Sequence, residues 1–230
     1  MDEKLERKNK MLESFGINTQ GKSDEEVDAF YAKIESEKKR EEKAMLETNY
    51  EHYSGIPDRY KNESLETYKP TEENKQKYER LKTYVEVVSS GEAKRNLCVI
   101  SGEYGTGKTH LACGIIRQLG GRIVTSLEMC LEYDSCRDFK AEKTRIQYLQ
   151  ELCANRVLVI DELGKGERTI EKLILPYIVN DFYGSGRLLV LVGNITKSEL
   201  DDIIGEAGAD RMNESGIYFP LVGKSKRAEK

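Results

Sequence analysis

The sequence predicts an α/β fold, with a central parallel sheet flanked by helices and a helical segment before it. Three observations predict it. Short apolar runs suited to buried strands recur from Leu97 to Phe219. Amphipathic helical patterns separate those runs, and this alternation lays helices over both faces of a parallel sheet. The first run leads directly into Gly102-Glu103-Tyr104-Gly105-Thr106-Gly107-Lys108-Thr109, which satisfies G-x-x-x-x-G-K-[ST] in full. The fold class is thus a phosphate-loop nucleotide-binding core.

Residues 1–53 are dominated by Lys, Glu, Asp and Arg and contain no proline. Val27, Phe30, Tyr31 and Ile34 fall at i, i+3, i+4 and i+7, one apolar helical stripe. Ser23 and Glu26 precede it in capping-box spacing. An earlier, shorter stripe is Leu5, Met11, Leu12 and Phe15, closed by Gly16. A narrow stripe cannot bury itself, so these helices pack on their own domain or on a partner. Ser54-Gly55-Ile56-Pro57-Asp58 breaks the pattern and marks a linker. Residues 54–95 form linker and leading helix, the helix running from about Glu72 to Val88.

The core occupies 96–230. Its strands are expected at Leu97-Cys98-Val99-Ile100, Ile123-Val124, Val157-Leu158-Val159-Ile160, Leu188 to Val192, and Ile217-Tyr218-Phe219. Leu111, Ala112, Ile115, Ile116 and Leu119 define the helix after the glycine-rich loop. Ile170, Leu173, Ile174, Tyr177 and Ile178 define a later helix, with a kink expected at Pro176.

The glycine-rich loop carries the chemistry. Gly102, Gly105 and Gly107 let backbone N–H groups turn toward phosphate oxygens at a helix N-terminus, with Thr106 between them. Lys108 is placed to reach the β- and γ-phosphates, and Thr109 to put its hydroxyl on Mg2+. The run Leu158-Val159-Ile160-Asp161-Glu162 ends in two acids at the carboxyl edge of the sheet. There Asp161 would hold Mg2+ through water and Glu162 would accept a proton from the attacking water. Asp161-Glu162-Leu163-Gly164 also fits the D-x-x-G of GTPases, but the N-K-x-D that reads guanine is replaced by Asn194-Ile195-Thr196-Lys197. Small-molecule kinases share the phosphate loop yet usually lack an adjacent Asp-Glu pair, which would waste ATP. Asn194, at the next strand end, is a candidate for orienting the water. Asp210-Arg211 precedes the last strand; Arg211 is either a surface ion-pair residue or a finger for a neighbouring subunit's γ-phosphate. Arg137-Asp138-Phe139-Lys140, with Lys143 and Arg145, reads either as a solvated helix face or as a single-stranded DNA contact.

Composition bounds the rest. The formal net charge is −4, which excludes a strongly basic nucleic-acid coat. No apolar run approaches about 18 residues, and the charged start Met1-Asp2-Glu3-Lys4 is unlike a signal peptide. A cytoplasmic protein without a membrane role is expected. Five cysteines without C-x-x-C spacing read as reduced core thiols.

Taken in order, these motifs resemble the AAA+ ATPases, and within them the DnaC/IstB-type group of bacterial helicase loaders and transposition helpers. The resemblance spans about 54–227. Gly102 to His110, continuing into Leu111-Ala112, is similar to the group's phosphate loop and following helix, which adds His110 to the nucleotide-binding set. Leu158 to Gly164 is similar to its acidic strand motif, and Gly193-Asn194 falls at its sensor-1 asparagine. Asp210-Arg211-Met212 resembles the segment carrying the arginine finger. Gly223-Lys224-Ser225-Lys226-Arg227 resembles the closing G-x-S-x-R, which makes Arg227 the sensor-2 candidate. Departures are Ala207 for an arginine, Lys226 for an aromatic, Asp181 for a basic residue and Gly193 for a serine. Only about ten residues follow Pro220, too few for a C-terminal helical lid, which fits the lidless loaders. The resemblance implies an ATPase that binds ATP/ADP with Mg2+, self-associates through its ATP site and contacts single-stranded DNA. It also implies a replicative DNA helicase as partner, gripped by the N-terminal helices. The alternatives are an IstB-type transposition ATPase and a nucleotide-gated adaptor that scarcely hydrolyses ATP.

Overall fold

In the computed structural model the described residues are 23, 27–29, 32–33, 36, 53–138, 140–223 and 225. The chain divides into two compact units, Met1–His52 and Tyr53–Lys230. In the first, residues 27–29, 32–33 and 36 are helical. The Val27 N–H donates to the Ser23 carbonyl at 3.0 Å, as at a helix start. Glu26, the stripe residues Phe30, Tyr31 and Ile34, and the earlier stripe of Leu5, Met11, Leu12 and Phe15 lie outside the described residues.

The second unit is a five-stranded, all-parallel sheet flanked by helices. After a short 3-10 turn at Asp58–Tyr60 come α1 (Glu72–Ser89), β1 (Leu97–Gly102), α2 (Lys108–Leu119), β2 (Arg122–Thr125), α3 (Ser126–Ser135) and α4 (Arg145–Cys153). β3 (Val157–Leu163), α5 (Arg168–Ser185), β4 (Leu188–Gly193), α6 (Lys197–Ser215) and β5 (Gly216–Leu221) complete it. The strand order is β2-β3-β4-β1-β5. β4 is therefore inserted between β1 and β3, and pairs Val99 with Leu191 on one side and Ile160 with Leu191 on the other.

Strand periodicity of two divides the core between the faces of the sheet. Leu97, Val99, Leu158, Ile160, Leu189 and Leu191 join one cluster with side chains of α3 to α6. The alternating Cys98, Ile100, Val159, Val190 and Val192 are equally buried, on the face where α1 and α2 pack. β4 is buried along its whole length, which is why it reads as an unbroken apolar run.

All five expected strands are present, as are the helices expected near Glu72, Lys108 and Ile170. α5 is one helix through Pro176, whereas α6 carries its backbone break at Gly205 (φ 72°, ψ 173°). The segment after α3 corrects one sequence reading. Residues 137–138 and 140–144 are turn and coil rather than a helix face. Lys143 and Arg145 are engaged locally: Arg145 pairs with Asp134 at 3.0 Å and stacks over Tyr133, and Lys143 pairs with Glu151 at 2.6 Å. Asp181, which departs from the family pattern, forms an ion pair with Arg187 at 2.6 Å. Among the described residues no helix is long and apolar enough to cross a membrane.

Candidate nucleotide site

The carboxyl ends of β1, β4 and β3 lie side by side and carry the phosphate loop, Asn194 and the acidic pair. In an open parallel sheet this edge is where a ligand is received. A cavity of about 880 Å³ opens there.

The loop is a strand-to-helix turn. Gly107 immediately precedes α2 with φ 92°, a left-handed conformation that favours glycine. A Cβ at Gly107 would also meet the Tyr68 ring at 2.5 Å, so conformation and packing demand the same residue. The Lys108 ammonium donates to the carbonyls of Gly102 and Glu103, both at 2.8 Å, and lies 5.9 Å from the Tyr104 ring centroid. The Thr106 hydroxyl donates to the Glu103 carbonyl at 2.9 Å and closes the turn.

Thr109 and Asp161 meet across the sheet edge. The Thr109 hydroxyl donates to Asp161 Oδ2 at 2.7 Å, and Asp161 is buried. Two adjacent oxygen donors, one of them a buried carboxylate, suit a hard divalent cation such as Mg2+. Glu162 next to it is exposed to the cavity. Its φ is 55°, and no other described non-glycine residue has a positive φ. The Glu162 N–H donates to Asp161 Oδ1 at 2.8 Å, and β3 slips register against β4 between Ile160 and Leu163. The bulge turns Glu162 out of the sheet while Asp161 stays in it. A left-handed carboxylate costs of order 1–3 kcal/mol, and such residues concentrate at functional positions.

Asn194 follows β4 and lines the same cavity. Hydrogen bonds from Lys165 first, and from Asn194, hold the Tyr104 phenol below its ordinary pKa. Lys165 thus joins Tyr104 and Asn194 at the cavity mouth, and no sequence motif had marked it.

The second wall of the cavity comes from the linker. The Tyr68 hydroxyl donates to the Thr106 carbonyl at 2.9 Å; burial pushes its pKa up to about 12. The Tyr68 ring lies edge-on to His110 at 5.4 Å. His110 Nε2 donates to the Ser64 carbonyl at 2.8 Å and lies 3.0 Å from Thr67 Oγ1 and 3.5 Å from Glu63. His110 is therefore held by the linker. Arg59, Tyr60 and Lys69 continue this wall.

Of the residues expected from sequence, the structure gathers Gly105, Gly107, Lys108, Thr109, His110, Asp161, Glu162 and Asn194 around one cavity. Gly102 and Thr106 shape the loop from behind. Arg211 does not line the cavity. It sits on α6, donates to the Ala207 carbonyl at 2.8 Å and lies over the Tyr183 ring. The surface ion pair that was one reading of Arg211 is replaced by these contacts. Arg227, Lys224 and Lys226 lie outside the described residues.

Comparison with known proteins agrees with this geometry. A family model described as IstB-like ATP binding protein matches residues 8–214. The replicative helicase loader DnaC of Buchnera aphidicola subsp. Schizaphis graminum is 31% identical over 180 residues, covering 75% of this chain and 72% of that protein. The replicative helicase loader DnaC of Escherichia coli K12 is 31% identical over 179 residues, with the same coverage of both chains. A crystal structure of the DnaC helicase loader superposes with a TM-score of 0.60 at 20% identity, over 72% of this chain and 99% of that one. The chain belongs to the IstB-like ATP-binding protein family and has the AAA+ fold that it shares with DnaC.

Proposed function

We propose that this chain is a DnaC-like, ATP-hydrolysing loader that delivers a replicative helicase onto single-stranded DNA in the cytoplasm. The observation that carries the enzymatic part is the Thr109–Asp161 contact at 2.7 Å, with Glu162 turned out beside it toward the cavity. Lys108 and the loop N–H groups bind the phosphates of ATP. Thr109 and Asp161 would hold Mg2+, which when bound neutralises charge on the β- and γ-phosphate oxygens. Asn194 orients a water, and Glu162 takes its proton as the water oxygen bonds to the γ-phosphorus. The bond to the β,γ-bridging oxygen breaks, and ADP and phosphate leave.

Helicase as partner is supported by the two DnaC relatives, which are replicative helicase loaders. In this reading residues 1–53 form the helicase-binding segment, 54–95 the linker and leading helix, and 96–230 the ATPase core. Arg211 does not line its own cavity, which suits a finger completing the ATP site of the next protomer, with Arg227 as the sensor-2 residue. The match to the IstB-like model favours a second reading, a transposition helper with the same site and a different partner.

Turnover of ATP, with and without single-stranded DNA, tests the site. Lys108→Ala is expected to lose nucleotide affinity. Glu162→Gln is expected to keep it and to lower turnover about a hundredfold or more, the scale of a lost general base. Normal hydrolysis by the Glu162→Gln variant would remove Glu162 from the mechanism. Undetectable wild-type turnover with tight ATP binding would leave a nucleotide-gated adaptor. Pull-down of a hexameric helicase rather than a transposase decides between the two partners.

A further inference from the structure

Lys165 is a cation at the cavity that no motif assigns, and its backbone is fixed on both sides. It lies in the loop between β3 and α5. The N–H groups of Gly164 and Gly166 both donate to Glu171 Oε1, at 3.0 and 3.1 Å. Glu171 is fully buried, and the Ser126 hydroxyl donates to the same oxygen. The N–H of Lys165 itself donates to the Glu162 carbonyl at 3.0 Å. A Cβ on Gly166 would meet Cys130 Sγ at 2.8 Å, so the loop is packed down as well as bonded. The side chain alone is left to reach the cavity, which it lines together with Glu162 and Asn194.

Two ammonium groups converge on this mouth. Lys165 Nζ lies 5.5 Å from the Tyr104 ring centroid and Lys108 Nζ lies 5.9 Å from the same centroid. Asn194 lines the cavity beside Tyr104 and Lys165. Glu162, three residues before Lys165, supplies a favourable charge nearby. A neutral phenol is a weaker acceptor than a phosphate oxygen, whose hydrogen bonds to an ammonium are charge-assisted. A group that binds beside Lys108 and carries more negative charge than the phenol should therefore draw Lys165 from its place over the Tyr104 ring.

We propose that Lys165 binds the terminal phosphate of a nucleoside triphosphate in cis, so that this site distinguishes ATP from ADP through Lys165. The proposal rests on the ATP-site reading above. It names the side of the cavity where Glu162 and Asn194 stand, not the loop N–H groups that would cradle the inner phosphates.

The test is the affinity of full-length protein for Mg-ADP and for the non-hydrolysable β,γ-methylene analogue of ATP, by isothermal titration calorimetry. The variants are Lys165→Ala and Lys165→Arg. Lys165→Ala is expected to weaken the triphosphate analogue about tenfold or more, the range of a lost charge-assisted hydrogen bond. ADP affinity should stay within about twofold, well under the tenfold that separates the outcomes. Lys165→Arg should recover most of the loss. Equal weakening of both nucleotides, or no change in either, would overturn the proposal while leaving the ATP site standing. Wild-type protein that binds neither nucleotide would bring down the ATP-site reading itself, and the Lys165 proposal with it.

Discussion

Tyr68→Phe separates a linker that merely passes the nucleotide site from one that builds it. Tyr68 is 4% exposed, its ring packs against Tyr78 at 5.3 Å and His110 at 5.4 Å, and its hydroxyl donates to the Thr106 carbonyl at 2.9 Å. Phenylalanine keeps the ring and removes only the donor. Taking one partner from a buried hydrogen bond costs about 1–3 kcal/mol, and the midpoint, about 2 kcal/mol, corresponds to a Tm fall of roughly 4–8 °C for a chain of this size. The freed carbonyl belongs to the phosphate loop, two residues before Lys108, so some of the cost should appear in nucleotide affinity as a loss of up to about tenfold. Tyr84→Phe is the control. Tyr84 is similarly buried and donates to the Arg95 carbonyl at 2.9 Å, but it does not line the cavity. Calorimetric melting and nucleotide titration on both variants give the comparison. Tyr84→Phe should lower Tm with affinity unchanged, and Tyr68→Phe should lower both. If Tyr68→Phe moves neither quantity, the linker does not support the loop and the reasoning fails.

Two further perturbations probe the ends of β3 and β4. Gly193→Ser restores the family's serine, yet a Cβ there would lie 3.0 Å from the Leu163 carbonyl oxygen and 3.2 Å from Leu163 Cβ. Overpacking of this kind costs about 1–3 kcal/mol. Urea denaturation should show that loss, and turnover should fall more than affinity because Asn194 is the next residue; wild-type stability would mean the strands are not so close. Glu171→Leu withdraws the acceptor from the Gly164 and Gly166 N–H groups and the Ser126 hydroxyl. With one buried donor and two partly buried ones stranded, a loss of about 2 kcal/mol or more is expected, and a urea midpoint unchanged from wild type would show that the loop holds itself.

The sheet was legible because its strands are buried on both faces. Val157 to Ile160 and Leu188 to Val192 are continuous apolar runs, and such runs survive inspection without any partner strand in view. The phosphate loop and acidic pair were legible because their chemistry fixes residue type and spacing within a few positions. Helices α3, α4 and α6 were missed, although each opens on the same local signal. Thr125 with Glu128, Thr144 with Gln147, and Thr196 with Glu199 all form reciprocal capping boxes. Threonine followed three residues later by Glu or Gln was readable at all three starts. The apolar stripe was not readable, because α3 leaves Leu127 and Leu131 exposed and so blurs its inner face. The linker wall was hidden for a different reason. Nothing local to Tyr68 or Lys165 marks them; Tyr68 lies 38 residues from the Thr106 carbonyl it binds. Lys165 meets Tyr104 only because β4 is threaded between β1 and β3 and draws their carboxyl ends to one edge. Motifs of fixed spacing therefore gave the parts that touch phosphate, while the parts that hold those motifs in place come from strand order, which spacing does not encode.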